Sequence, residues 1–123
     1  MAHPSGHFEI PAQDLGRVRR FYTDLLGWDI QAPRGMPDYM LVTTAREGEA
    51  GINGGLIQRR APQQAVTNYA QVESVADYAE KVKQLGGQVV MGKTAVPKMG
   101  YFAVCLDPEG NPLGLWEDDP NAA

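Results

Sequence analysis

The sequence predicts an α+β fold: two copies of a βαβββ module forming a strongly curved mixed sheet with its helices outside. Three observations carry that expectation. A strand, a helix and three strands can be traced over about 5–58, and the pattern starts again over about 67–118. The helix-ending pair Leu26-Gly27 recurs as Leu85-Gly86, and Gly55-Leu56 recurs as Gly114-Leu115, each displaced by 59 positions (85 − 26 and 114 − 55). Neither module could cover the apolar face of its own sheet alone, so the halves are expected to pack as one domain spanning 1–123.

The first strand is expected over 7–11, where Phe8 and Ile10 alternate with His7 and Glu9. Alternation sends the first pair to the core and the second pair to the other face. Asp14 stands at an N-cap position, and Leu15, Val18, Phe21, Tyr22 and Leu25 recur at helical spacing until Gly27 supplies the stop. The opposite side of that helix is cationic, with Arg17, Arg19 and Arg20. Strands follow over 28–32 and 39–44, separated by a loop over 33–38 that holds two prolines and a glycine. After a charged turn, the stretch 51–58 reads as a fourth strand with three glycines. Those glycines fit either a close approach of something to the backbone or a bulged edge strand.

A polar connector over 59–66 carries Arg59, Arg60 and Pro62. The second module opens with a strand over 67–73, in which Ala70 and Val72 point inward and Thr67, Tyr69 and Gln71 point away. Ser74 can cap a helix with Val75, Ala79, Val82 and Leu85 on one side, and Gly86-Gly87 ends it. A short strand over 88–91, a long loop over 92–100, and a hairpin with strands over 101–106 and 113–117 complete the unit.

Composition narrows the function classes. At 123 residues one core is enough, burying roughly two thirds of the unfolded surface. The net charge of −4 and the scattered basic residues argue against a nucleic-acid partner, which needs a basic face. No run of about 18 apolar residues predicts a membrane span, and the first six residues lack the apolar stretch of a signal peptide. The single cysteine, Cys105, falls mid-strand as a small buried residue, which suits a reducing, cytoplasmic setting.

A paired βαβββ chain with His7-Phe-Glu-Ile-Pro-Ala, Phe21-Tyr22, Leu26-Gly27-Trp28, Gly51-Ile-Asn-Gly-Gly-Leu56 and Asp107-Pro-Glu-Gly-Asn111 resembles the vicinal oxygen chelate superfamily. That group includes glyoxalase I, extradiol dioxygenases, fosfomycin resistance enzymes and bleomycin resistance proteins. The likeness covers essentially the whole chain. It implies metal ligands on the first and last strands of each module, and it implies a homodimer. His7 matches the first of these positions. The others read Thr67, Gly55 and Gly114, so three of the four hold no imidazole or carboxylate.

A divalent ion of this family needs about three such donors. The expectation is therefore a protein without a metal cofactor, in which His7 would be the ligand if an ion were held. A carboxylate from Glu9, or from Glu117 through a slipped register, is the route by which a metal enzyme with an atypical ligand set could arise. His3 is expected in a flexible tail.

Without metal, the resemblance still implies a groove, and strand alternation lines it with His7, Glu9, Asn53, Gly55, Tyr69, Gln71, Gly114 and Trp116, with Tyr39 and Tyr101 as further candidates. Aromatic faces with a few hydrogen-bonding groups suit a small organic molecule. Trp116 could equally serve the core or a subunit contact, and Tyr69 and Gln71 could be solvated strand residues. His7 and Glu9 also form the candidate catalytic pair, an imidazole near a carboxylate able to act as a general base. Residues i and i+2 of a strand lie about 6.5–7 Å apart at the backbone, too loose for a direct hydrogen bond. The expected activities are thus small-molecule binding, a metal-dependent lyase or dioxygenase, or a metal-free enzyme using His7.

Overall fold

A computed structural model describes residues 2–35 and 38–123. The chain runs strand, helix, three strands, twice: β1 (Ser5–Ala12), α1 (Leu15–Leu26), β2 (Asp29–Gln31), β3 (Tyr39–Thr43) and β4 (Asn53–Gln58), then β5 (Thr67–Gln71), α2 (Val75–Gln84), β6 (Gln88–Val96), β7 (Gly100–Leu106) and β8 (Pro112–Asp118). In the first module the strand order is β2-β3-β4-β1, and in the second it is β6-β7-β8-β5. Each sheet is mixed, because its first and last strands pair in parallel and the others antiparallel. The expected α+β class and doubled module are thus present. Two residues of the loop expected over 33–38, Met36 and Pro37, lie outside the described residues.

The chain forms two compact units, 7–66 and the remainder. Residues 2–6 belong with the second module rather than the first. The Gln71 amide donates to the Pro4 carbonyl at 2.9 Å, Ser5 bonds the Asn68 side chain, and His3 Nε2 lies 2.9 Å from the Tyr78 hydroxyl. The expected flexible tail is therefore a fastened arm, anchored by hydrogen bonds that only the fold brings within reach.

In the unit 7–66, α1 begins at Asp14, whose carboxylate accepts from the Arg17 amide at 3.0 Å, and ends at Gly27 with φ at 70°. Leu15, Val18 and Tyr22 pack with Phe8, Ile10, Trp28 and Met40 around Ala12, Ile30, Val42 and Leu56. Tyr22 stacks on Trp28 with ring centroids 4.9 Å apart. Phe21 and Leu25, expected on the same side, are instead 58% and 63% exposed. Helical geometry explains Phe21: with 100° per residue, the Leu15–Val18–Tyr22 stripe takes the core and turns Phe21 to its flank, whereas Leu25 lies one turn beyond the stripe's packed part at the end of the helix.

The second helix follows the same logic. The Ser74 hydroxyl accepts from the Asp77 amide, and the Glu117 carboxylate accepts from the Val75 amide at 2.9 Å, so two of the open first-turn N–H groups are satisfied. Val75, Val72, Ala103, Cys105 and Leu115 form the core beneath it, joined by Tyr78, Ala79 and Val82. Leu85 is 78% exposed, because the helix stops at Gln84 and leaves it as the cap. The loop expected over 92–100 is also corrected. β6 continues to Val96 through register shifts on either side of Met91, which break the alternation that a strand would show in sequence. Lys98, at φ 67°, then turns the chain into β7.

Candidate functional site

Each sheet has a face turned away from its helix, and the predicted site residues other than Tyr101 fall on these faces. In the first module β4 is an interior strand, between β3 and β1. Its register sets His7 beside Asn53, and Glu9 and Leu41 on either side of Gly55. Tyr39, from β3, reaches across so that its hydroxyl lies 3.1 Å from His7 Nε2. A Cβ at Gly55 would overlap that hydroxyl and the ring carbon bearing it, and one at Gly54 would overlap the Phe8 ring and carbonyl. The close approach that the glycines signal is therefore made by the chain's own Tyr39 and Phe8. Asn53, expected in the lining, turns its carbonyl oxygen to the Thr44 and Ala45 amides at 2.9 and 3.1 Å.

Electrostatics at this spot are set by burial. It lowers the His7 pKa from its ordinary value of 6.5, favouring the neutral imidazole. Burial also raises Tyr39 well above a normal phenol, with the nearby Glu9 carboxylate adding to the shift. At neutral pH the pair is thus a neutral imidazole and a neutral phenol sharing one hydrogen bond, with a carboxylate close by.

In the second module Tyr69 lies opposite Gly114, Gln71 opposite Trp116, and Phe102 opposite Trp116 from the other side. Tyr69 is 5% exposed, so the solvated reading fails for it: its ring fills the space above Gly114, where a Cβ would overlap three ring carbons. Gln71 Nε2 and Trp116 Nε1 both donate to Asp118, at 2.5 and 2.6 Å. The half-buried Trp116 ring covers Gly100, whose Cβ it would obstruct. Tyr101 packs toward the α2 core instead. Sequence reasoning missed Asp118, Phe102 and Gly100. Alternation from Trp116 pointed to the first, and the hairpin register points to the other two.

The donor set can be tested against the metal that the resemblance implies. Among the described residues no three His, Cys, Asp or Glu side chains cluster closely enough to hold an ion. The register is not slipped, for Glu117 pairs with Tyr101 and caps α2 from the helix side. Gly55 and Gly114 cannot be replaced by donors without displacing Tyr39 and Tyr69. His7 and Glu9 alone do not make a divalent site. No helix of the described residues is long and apolar enough to cross a membrane.

Comparison with known proteins agrees with the architecture. The family model for the Glyoxalase/Bleomycin resistance protein/Dioxygenase superfamily matches residues 5–115. A "Glyoxylase-like domain-containing protein" of Didymella fabae is 29% identical over 108 residues, covering 84% of each chain. "Putative glyoxylase CFP32" of Mycobacterium bovis is 30% identical over 115 residues, which are 89% of this chain, and the match takes up 43% of that protein, so this chain spans less than half its length. A superfamily member from Vibrio splendidus 12B01 superposes with a TM-score of 0.65 at 14% identity, covering 90% of this chain and 96% of that one. With two βαβββ modules in order and the family match running through both, the chain belongs to the glyoxalase/bleomycin resistance protein/dioxygenase superfamily.

Proposed function

We propose that this protein binds a small organic molecule, partly aromatic, on the helix-free faces of its modules and does so without a metal. One observation carries the reading: in both modules the closing-strand position is glycine, and a tyrosine ring occupies the volume a donor would need. What remains exposed or half-buried beside those rings is an aromatic and hydrogen-bonding surface, with His7, Glu9 and Tyr39 in one module and Gln71, Phe102 and Trp116 in the other. Such surfaces hold flat organic molecules through apolar contact and a few oriented hydrogen bonds.

The summed emission of Trp28 and Trp116, titrated with a broad metabolite and drug panel, tests the reading. A saturable response is expected, and a panel without one overturns it. Elemental analysis of purified protein addresses the metal separately. Near-stoichiometric zinc, nickel, manganese or iron that disappears in His7→Ala would replace this reading with that of a metal-dependent lyase or dioxygenase. In keeping with the family resemblance we further propose a homodimer, which light scattering measures, and a cytoplasmic location that fits the buried lone thiol of Cys105.

The His7–Tyr39 hydrogen bond favours a second reading, a metal-free enzyme with His7 as general base. Burial keeps the imidazole in the unprotonated form that a general base needs, and Tyr39 fixes the ring's orientation. His7→Ala should then abolish turnover while ligand binding survives, and unchanged turnover would dispose of it.

A further inference from the structure

The ligand's charge can be read from the second module, on the premise that its helix-free face is a ligand surface. Phe102 and Trp116 lie side by side there as half-buried aromatics. The Asp118 carboxylate is fixed at their edge, because each of its oxygens accepts a short hydrogen bond, one from Gln71 and one from Trp116. Both donors are neutral, so neither offsets the negative charge, and each oxygen keeps a further lone pair. Asp118 is in neither of the two ion pairs found among the described residues.

Among the described residues no basic side chain forms an ion pair with Asp118. No basic residue stands on β5, β7 or β8, and Lys93, the one on β6, lies over the Tyr101 ring, 4.2 Å from its centroid, which packs toward the helix. Lys98 is in the turn between β6 and β7, two residues before Gly100, the register partner of Asp118, and it forms no ion pair with that carboxylate.

We infer that this face selects a small organic cation: an amine whose ammonium approaches Asp118 while its apolar body lies on Trp116 and Phe102. The positive charge gains from a carboxylate held in place, and the apolar body gains from contact with the aromatic faces. A neutral analogue keeps only the apolar contact, and an anion is repelled by Asp118. The tight anchoring of the carboxylate matters, since little side-chain freedom is lost when the ligand arrives.

The test uses three shape-matched probes, 2-phenylethylamine, 2-phenylethanol and 3-phenylpropionate, followed through the Trp116 indole N–H resonance, which reports on its bond to Asp118. The amine is expected to saturate the shift at a concentration about fivefold below that of the alcohol, with the propionate weakest. Asp118→Asn preserves the acceptor for Trp116 and should erase the preference. Asp24→Asn, the same charge change on the exposed face of α1, should leave it intact. Equal affinities, a tighter anion, or a preference that survives Asp118→Asn would overturn the inference while leaving the ligand surface standing. Absence of saturable binding by all three probes would remove the ligand surface itself, and the charge inference with it.

Discussion

The tyrosine over Gly114 makes a quantitative prediction. A Cβ at position 114 would sit 2.5 Å from Tyr69 Cγ, where ordinary contact begins at 3.4 Å, so in Gly114→Ala the ring must retreat by about 1 Å. Tyr69 is 5% exposed and cannot swing into solvent without surrendering its packing. Overpacking of this kind costs about 1–3 kcal/mol. Truncating the ring alone, in Tyr69→Ala, should cost about 3–5 kcal/mol, as for a buried phenylalanine. In the double variant the new methyl enters the space the ring has left, so the combined loss should fall short of the sum by at least about 1 kcal/mol. Urea denaturation of all four proteins, with a common slope, measures each value. Additive losses, or a Gly114→Ala protein as stable as the parent, would show that the ring does not fill that space.

Acidification should destabilise the fold through His7: its pKa lies below 6.5 when folded, so the contribution is complete above pH 6.5 and disappears as pH falls through the folded value, and His7→Gln should flatten that part of the stability profile. Tyr39 shifts the other way, because its raised pKa makes its contribution complete below pH 10 and lost as the pH rises beyond it; Tyr39→Phe should soften alkaline unfolding, followed by circular dichroism. Ser74→Ala should cost about 1 kcal/mol through loss of the N-cap, read by denaturant titration. Lys98→Gly should gain about 0.5–1 kcal/mol in the same titration, since a lysine at φ 67° carries strain that glycine does not.

How far the sequence could be read depended on the range of the signal. Caps and strand alternation are local, and Asp14, Gly27 and Ser74 do what their positions imply. Alternation also assigned His7, Glu9, Gln71 and Trp116 to the helix-free faces. It could not reveal that Tyr39 crosses from β3 to cover Gly55, because that depends on the register of two strands separated by a loop. Nor could it tell a glycine that admits a ligand from one that admits a neighbouring ring, for the two leave the same trace in sequence. β6 escaped for a different reason: its register shifts at Met91 erase the period of two on which a strand is recognised.

The two filled glycines are equivalent positions, yet their fillers are not. Tyr69 stands on the opening strand of its module, directly opposite Gly114, and its counterpart in the first module, 60 positions earlier, is Glu9. The first module fills the hollow at Gly55 from β3 instead, and the residue 59 positions after Tyr39 is the turn lysine Lys98. A doubled scaffold would be expected to repeat a packing solution along with its backbone. Here the backbone repeats and the solution differs, so each tyrosine answers a local demand: a glycine on an interior strand leaves a void, and a void in a packed sheet is filled by whichever large side chain can reach it. The consequence for chemistry is asymmetric. In the first module the filling ring brings a hydroxyl to His7, with Glu9 nearby, the polar spot on which the proposed His7 base rests. In the second the filling ring lies over its glycine, and the neighbouring positions hold an indole hydrogen-bonded to a carboxylate, the pair on which the proposed cation site rests.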